Sequence, residues 1–156
     1  MKIPSRPGTY ALVLSSPACR PVVIGKLGTL KVKPGFYVYV GSAFGPGGLL
    51  ARIGHHRNNT GCPHWHMDYL GKYLGLDEIW YTCDAAHREH QWVKVLSKAR
   101  GAMVPLAGFG SSDCRCKSHL YYFISRPSGG NFRRKLHSSF ANHGRIYMVK
   151  PVPKVE

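Results

Sequence analysis

The run FYVYVGSAFGPGGLLARIGHH, residues 36–56, most constrains how this chain can fold. Aromatic and β-branched residues up to Val40 predict a strand over 35–43, and Gly45, Pro46, Gly47 and Gly48 break it. Leu49, Ile53 and His56 then fall at i, i+4 and i+7, which predicts a helix over 48–58. Gly54 weakens that helix by ~1 kcal/mol relative to alanine. A strand carrying Tyr37 and Tyr39 on one face must therefore turn directly into a helix carrying Arg52, His55 and His56. Such a corner is either ordinary packing or half of an active site.

The same reasoning places strands over 8–16, 76–83 and 118–125, a hairpin over 21–35 around GKLG, and an edge strand over 145–151 ended by prolines. Helices are predicted over 64–75, 85–100 and 131–144, with Gly101 as the stop of the second. Early hairpins mixed with helices predict an α+β fold, a small mixed, mainly antiparallel sheet flanked by helices.

Charge carries the bulk signal. Against 22 Lys and Arg stand 7 acidic residues, a formal net charge of +15, and no acid occurs before Asp68. Such a field concentrates polyanions, so a nucleic acid is the expected partner. Lys26, Lys31, Arg57, Arg115, Lys117, Arg133 and Arg134 are the candidate contacts. No apolar run reaches the ~18 residues of a membrane span, and the first residues lack an apolar signal segment, so a soluble cytoplasmic protein is expected. Five cysteines without an export signal argue against a disulfide framework.

Three groups carry candidate chemistry. Glu89 lies three, four and seven positions before Trp92, Val93 and Leu96, which places it on the inward stripe of its helix. A carboxylate there needs a cationic partner or a metal, because an isolated buried charge costs several kcal/mol. Arg52 and His56, at i and i+4, share a helix face on which a guanidinium fork and an imidazole suit a phosphate; a surface pair would have the same spacing. Cys62 and His64, with Cys114 and Cys116, offer a zinc-type set drawn from CPHWH and CRCKSH, where His66 and His119 also occur. Neither segment has the spacing of a zinc knuckle, so a structural Zn²⁺ is not the favoured reading. The alternative leaves His64, His66 and Asp113 lining a groove or satisfying buried backbone.

Taken together these residues resemble the GIY-YIG endonuclease superfamily. GTY (Gly8, Thr9, Tyr10) is similar to its first signature and YVG (Tyr39, Val40, Gly41) to its second. YVYVGSAFGPGGLLAR, HWHMDYL and GFGSSDCRCKSHLYYF resemble a compact, uncharacterised archaeal and bacterial branch, over roughly residues 6–124. The resemblance implies a nuclease domain over 1–125 with a basic extension over 126–156, packed on it or appended to it. It implies Tyr10, Tyr39, Arg52, His56 and Glu89 as catalytic residues, with Glu89 holding one Mg²⁺ or Mn²⁺. Thr9 and Val40 depart mildly from the signatures. The long gap between Tyr10 and Tyr39 is accounted for if the 21–35 hairpin is an insertion between paired strands. The asparagine that many members carry has no clear counterpart, Ser112 or Asp113 standing nearest.

The implied reaction is phosphodiester hydrolysis in DNA, in repair or processing. Tyr10 acts as the base, alone or relaying through Tyr39 or His56, and Arg52 stabilises the phosphorane. The surrounding positive charge is expected to favour the Tyr10 phenolate, and the GPGG amides offer a further phosphate contact. The alternative is a non-catalytic nucleic-acid-binding protein on the same fold. A third reading is a zinc-stabilised RNA-associated protein stacking bases on Trp65, Tyr69 and Tyr73.

Overall fold

The computed structural model describes residues 2–58, 61–112 and 114–152. Asp113 lies outside the described residues. Four strands lead: β1 (Gly8–Ser16), β2 (Arg20–Ile24), β3 (Gly28–Val32) and β4 (Gly35–Ala43). Helices α1 (Gly48–Arg57) and α2 (His66–Leu70) follow, then β5 (Gly75–Thr82), α3 (Glu89–Ser97), β6 (Leu120–Phe123), α4 (Gly129–Ser139) and β7 (Ile146–Val149). The fold is α+β. A five-stranded sheet has the order β6-β4-β1-β5-β7, and β2 and β3 form a separate two-stranded sheet. Every ladder is antiparallel, so the sheet is not mixed.

β1 is central and covered on both faces, which is why its sequence reads as a continuous apolar run. Tyr10, Leu12 and Leu14 enter one core with Leu49 and Ile53 of α1, Met67 and Leu70 of α2, and the β2–β3 hairpin. Ala11 and Val13 enter the other with Trp92 and Leu96 of α3 and Phe132 and Leu136 of α4. β1 and β4 pair directly, from Gly8 opposite Ala43 to Ser16 opposite Gly35, with the hairpin inserted between them in sequence.

Residues beyond 126 contribute to the same sheet and core. α4 is capped by Ser128 Oγ, which accepts from Asn131 N at 3.1 Å, and it stacks Phe132 on Trp80 at 4.9 Å between ring centres. β7 adds an edge strand beside β5.

All four helices are shorter than their patterns predict: α1 ends one residue early, α4 spans Gly129–Ser139 rather than 131–144, and α2 and α3 are cut most. Residues 64–75 give only α2 and a 3₁₀ turn, Gly71–Tyr73, before Leu74 turns extended. α3 begins at Glu89 because Asp84 captures the preceding segment. Its carboxylate accepts from Ala86 N at 2.9 Å and Arg88 Nε at 3.0 Å, and from Gly144 N at 2.7 Å.

Candidate active site

Tyr10 and Gly41 are cross-strand partners in the β1–β4 ladder. A Cβ at Gly41 would stand 2.5 Å from the Tyr10 hydroxyl, so the glycine of YVG is the space into which the tyrosine of GTY folds. Gly8 meets a similar limit, its missing Cβ lying 1.9 Å from Thr82 O of the neighbouring strand. Thus both signature glycines have a steric reason.

Tyr10 is fully buried and its hydroxyl lies 2.7 Å from His56 Nε2. Tyr39 packs against both, its ring centre 6.5 Å from Tyr10 and 5.7 Å from His56. Arg52, one turn earlier on α1, lays its guanidinium over the Trp65 ring at 4.2 Å. Arg52 and Trp65 line a cleft of about 260 Å³ with Ala43, Gly45 and Pro46. The structure thus brings Tyr10, Tyr39, Arg52 and His56 together. His55 turns elsewhere: its Nε2 lies 2.9 Å from Asp68 Oδ1, whose other oxygen accepts from His64 N and Trp65 N at 2.8 and 2.9 Å.

Burial decides the protonation states. It raises Tyr10 well above the ordinary phenol value, with Tyr39 and Glu89 adding to the rise, while the Arg52 guanidinium opposes it and loses. Tyr39 is raised for the same first reason. The expected Tyr10 phenolate is therefore corrected: desolvation outweighs the positive surroundings, and the phenol keeps its proton. His56 is lowered to about 4, by burial first and then by His55 and Arg52 against the pull of Asp68. Its Nδ1 is buried and has no hydrogen-bond partner among the described residues.

Glu89, the first residue of α3, is half-buried rather than enclosed, its side chain 24% exposed. Ser42 Oγ donates a short hydrogen bond to Oε2. Oε1 stands 2.6 Å from His119 Nδ1, an ion-pair contact whose ring geometry falls short of a hydrogen bond. Burial pushes the carboxyl up, but His119 and Ser42 outweigh it and hold it below the usual glutamate range. The partners of Glu89 are thus Ser42 and His119, and its charge is felt by both Tyr10 and Tyr39.

Three amides at the start of α1, that of Gly48 in GPGG among them, are already engaged. Gly48, Leu49 and Leu50 donate their N–H groups to Gly45 O, Arg6 O and Pro4 O at 3.2, 2.9 and 3.0 Å, so the chain's own N-terminal segment occupies the start of α1.

The seven candidate cations lie on separate parts of the surface. Lys26 and Lys31 are exposed on the hairpin, Arg115 and Lys117 precede β6, and Arg133 and Arg134 point outward from α4. Arg57 Nη2, at the end of α1, donates to Val152 O at 2.8 Å. The aromatics proposed for stacking do not form one platform: Trp65 carries Arg52, Tyr69 packs on the core, and Tyr73 lies under Arg20 at 4.0 Å.

The candidate zinc set, which was not the favoured reading, is not the grouping that the described residues form. Cys114 and Cys116 do converge, but with His90 and His119 rather than Cys62 and His64; the four ligand atoms lie within 4.8 Å of one another. Sequence reasoning passed over His90 because it follows Glu89 on a helix with no metal-type spacing. It missed Ser42 and His119 as partners of Glu89 for a similar reason: each comes from a different strand end. The CxCxxH spacing was the one available signal.

Among the described residues no helix is long and apolar enough to cross a membrane. The family model described as "Domain of unknown function DUF123" matches residues 9–142, which takes in Tyr10, Tyr39, Arg52, His56, Glu89 and α4. No curated protein and no solved structure matches the chain.

Proposed function

This chain belongs to the DUF123 family, and we propose that it is a divalent-metal-dependent endonuclease of the GIY-YIG type, hydrolysing phosphodiester bonds in DNA during repair or processing. The observation that carries this reading is the 2.7 Å contact between the Tyr10 hydroxyl and His56 Nε2, with Arg52 beside Tyr10 and Glu89 in electrostatic reach.

Glu89 fits a hard divalent cation. Its carboxylate is charged and partly open to solvent, and among the described residues each oxygen meets one partner, which leaves lone pairs for an ion that keeps most of its own waters. Bound there, Mg²⁺ or Mn²⁺ would neutralise charge on the scissile phosphate and its leaving oxygen.

The chain's own residues supply the rest. A neutral phenol beside a neutral imidazole donates its hydrogen to Nε2. Tyr10 therefore accepts a proton from the attacking water as it passes its own to His56, and no free phenolate is required. The water oxygen bonds to phosphorus and the opposite ester oxygen leaves. Arg52 holds the charge that builds on the non-bridging oxygens, in a cleft whose aromatic wall fixes the guanidinium.

The test is nicking of supercoiled plasmid and cleavage of oligonucleotides with Mg²⁺ or Mn²⁺, comparing the wild type with Tyr10→Phe and Glu89→Gln. Cleavage lost in both variants supports the reading. Equal cleavage in all three removes the site. Salt-dependent DNA binding with no cleavage would leave the non-catalytic alternative in its place.

A further inference from the structure

We propose that His90, Cys114, Cys116 and His119 form a four-coordinate site for a zinc-type ion, and that this ion positions Glu89 through the His119 ring. Two thiolates and two imidazoles are the donor set that Zn²⁺ prefers, and two sulfurs exclude Mg²⁺ as the natural occupant. In a tetrahedral zinc site, with bonds of ~2.0–2.3 Å, ligand atoms lie about 3.3–3.8 Å apart. His119 Nε2 and Cys114 Sγ are already 3.2 Å apart, and all four ligand atoms lie within 4.8 Å of one another. Closing on an ion requires movement of about 1 Å.

The surroundings favour such an ion. The connection over residues 98–119 has no helix or strand of its own among the described residues, apart from a single bridge between Met103 and Tyr122. Loops longer than ~15 residues need some constraint to hold one shape. This one is tied at its end, where His119 N donates to Phe109 O at 2.8 Å and His119 O accepts from Val40 N at 2.9 Å. His119 is thus fixed to β4, while His90 comes from the first turn of α3. An ion joining the two fastens the loop to both.

His119 also links the two sites. With Nε2 directed at the metal, Nδ1 carries the hydrogen, and the Glu89 oxygen 2.6 Å away is its acceptor after a small ring rotation. This is the carboxylate–histidine–zinc arrangement, in which the carboxylate sets the ring and the ring in turn holds the carboxylate. The ion site does not depend on nuclease activity; only the consequence for Glu89 rests on the reading proposed above.

The experiment uses the full chain purified under reducing conditions, with zinc counted by atomic emission and Co²⁺ exchanged in as a spectroscopic probe. About one zinc per chain is expected, with cobalt giving thiolate charge-transfer and tetrahedral d–d bands. Cys116→Ser and His90→Asn should lose these signals; His90 is exposed, so its variant tests the site without disturbing the core. Cys62→Ser should keep them. Glu89→Gln should keep the ion but weaken its affinity roughly 10–100-fold. No zinc in the reduced wild type, or an ion lost in Cys62→Ser and kept in His90→Asn and Cys116→Ser, overturns the site. Unchanged affinity in Glu89→Gln overturns the link. Unit zinc without DNA cleavage supports the site and counts against the nuclease reading alone.

Discussion

The Tyr10 hydroxyl and His56 Nε2 lie 2.7 Å apart, so one hydrogen bond ties the central strand of the sheet to the last turn of α1. Both groups are neutral near neutrality, because burial lowers the imidazole to about 4 and raises the phenol.

That pair makes a pH prediction. The folded-state value of His56 lies below its unfolded value of ~6.5. Its contribution to stability is therefore fully present above pH ~6.5 and is lost as pH falls through about 4, since the unfolded chain binds the extra proton. Urea unfolding at a series of pH values should show stability rising across this window in the wild type and a flatter rise in His56→Gln. Identical slopes would mean that His56 is not held neutral.

Gly41→Ala should displace Tyr10, because the added methyl would lie 2.5 Å from its hydroxyl. A loss of about 1–3 kcal/mol is expected from such overpacking, with Tyr10 pushed off His56. Gly45→Ala, where a Cβ meets open space, is the matched control and should stay within about 0.5 kcal/mol. Thermal unfolding of the two variants decides.

Arg52→Ala should lower kcat of DNA cleavage roughly 10²–10³-fold, the usual cost of losing one charge-stabilising donor. Arg52→Lys should recover only part, since an ammonium cannot reproduce the fork or its stacking on Trp65. Full activity in the alanine variant would remove Arg52 from the reaction.

Asp68→Asn should destabilise the corner between α1 and α2. Asp68 is buried, pairs with His55 and accepts two backbone N–H groups. Burial raises its carboxyl, but the Trp65 and His64 amides and His55 outweigh that and hold it below the usual aspartate value. Its stabilisation is thus present above the unfolded pKa and lost as pH falls through the lower folded one. A loss of ~1–3 kcal/mol at neutral pH is expected, shrinking as pH falls below the unfolded aspartate value and through the lower folded one.

If Arg133 and Arg134 contact phosphates, replacing both with alanine should weaken DNA binding at all sequences. The slope of log K against log salt should become shallower by about one per lost contact. An unchanged slope would place the nucleic acid elsewhere on the surface.

Local pattern by itself determined the elements. β1 and β4 occupy the predicted spans, and α1 ends one residue short of its own, because side-chain alternation and the GPGG break are written into neighbouring residues. The hairpin between β1 and β4 was legible from GKLG for the same reason. Spacing set His56 over Arg52, but what each histidine does was decided by partners far away in sequence: Asp68 takes His55 and Tyr10 meets His56. Only the tertiary structure showed that Tyr10 keeps its proton, because desolvation depends on everything packed around the ring. It alone set Ser42 and His119 on Glu89, and His90 beside Cys114 and Cys116, since strand ends, a helix start and a long loop meet there. Periodicity records which face a residue lies on; protonation and ligand sets depend on which distant residues share that place.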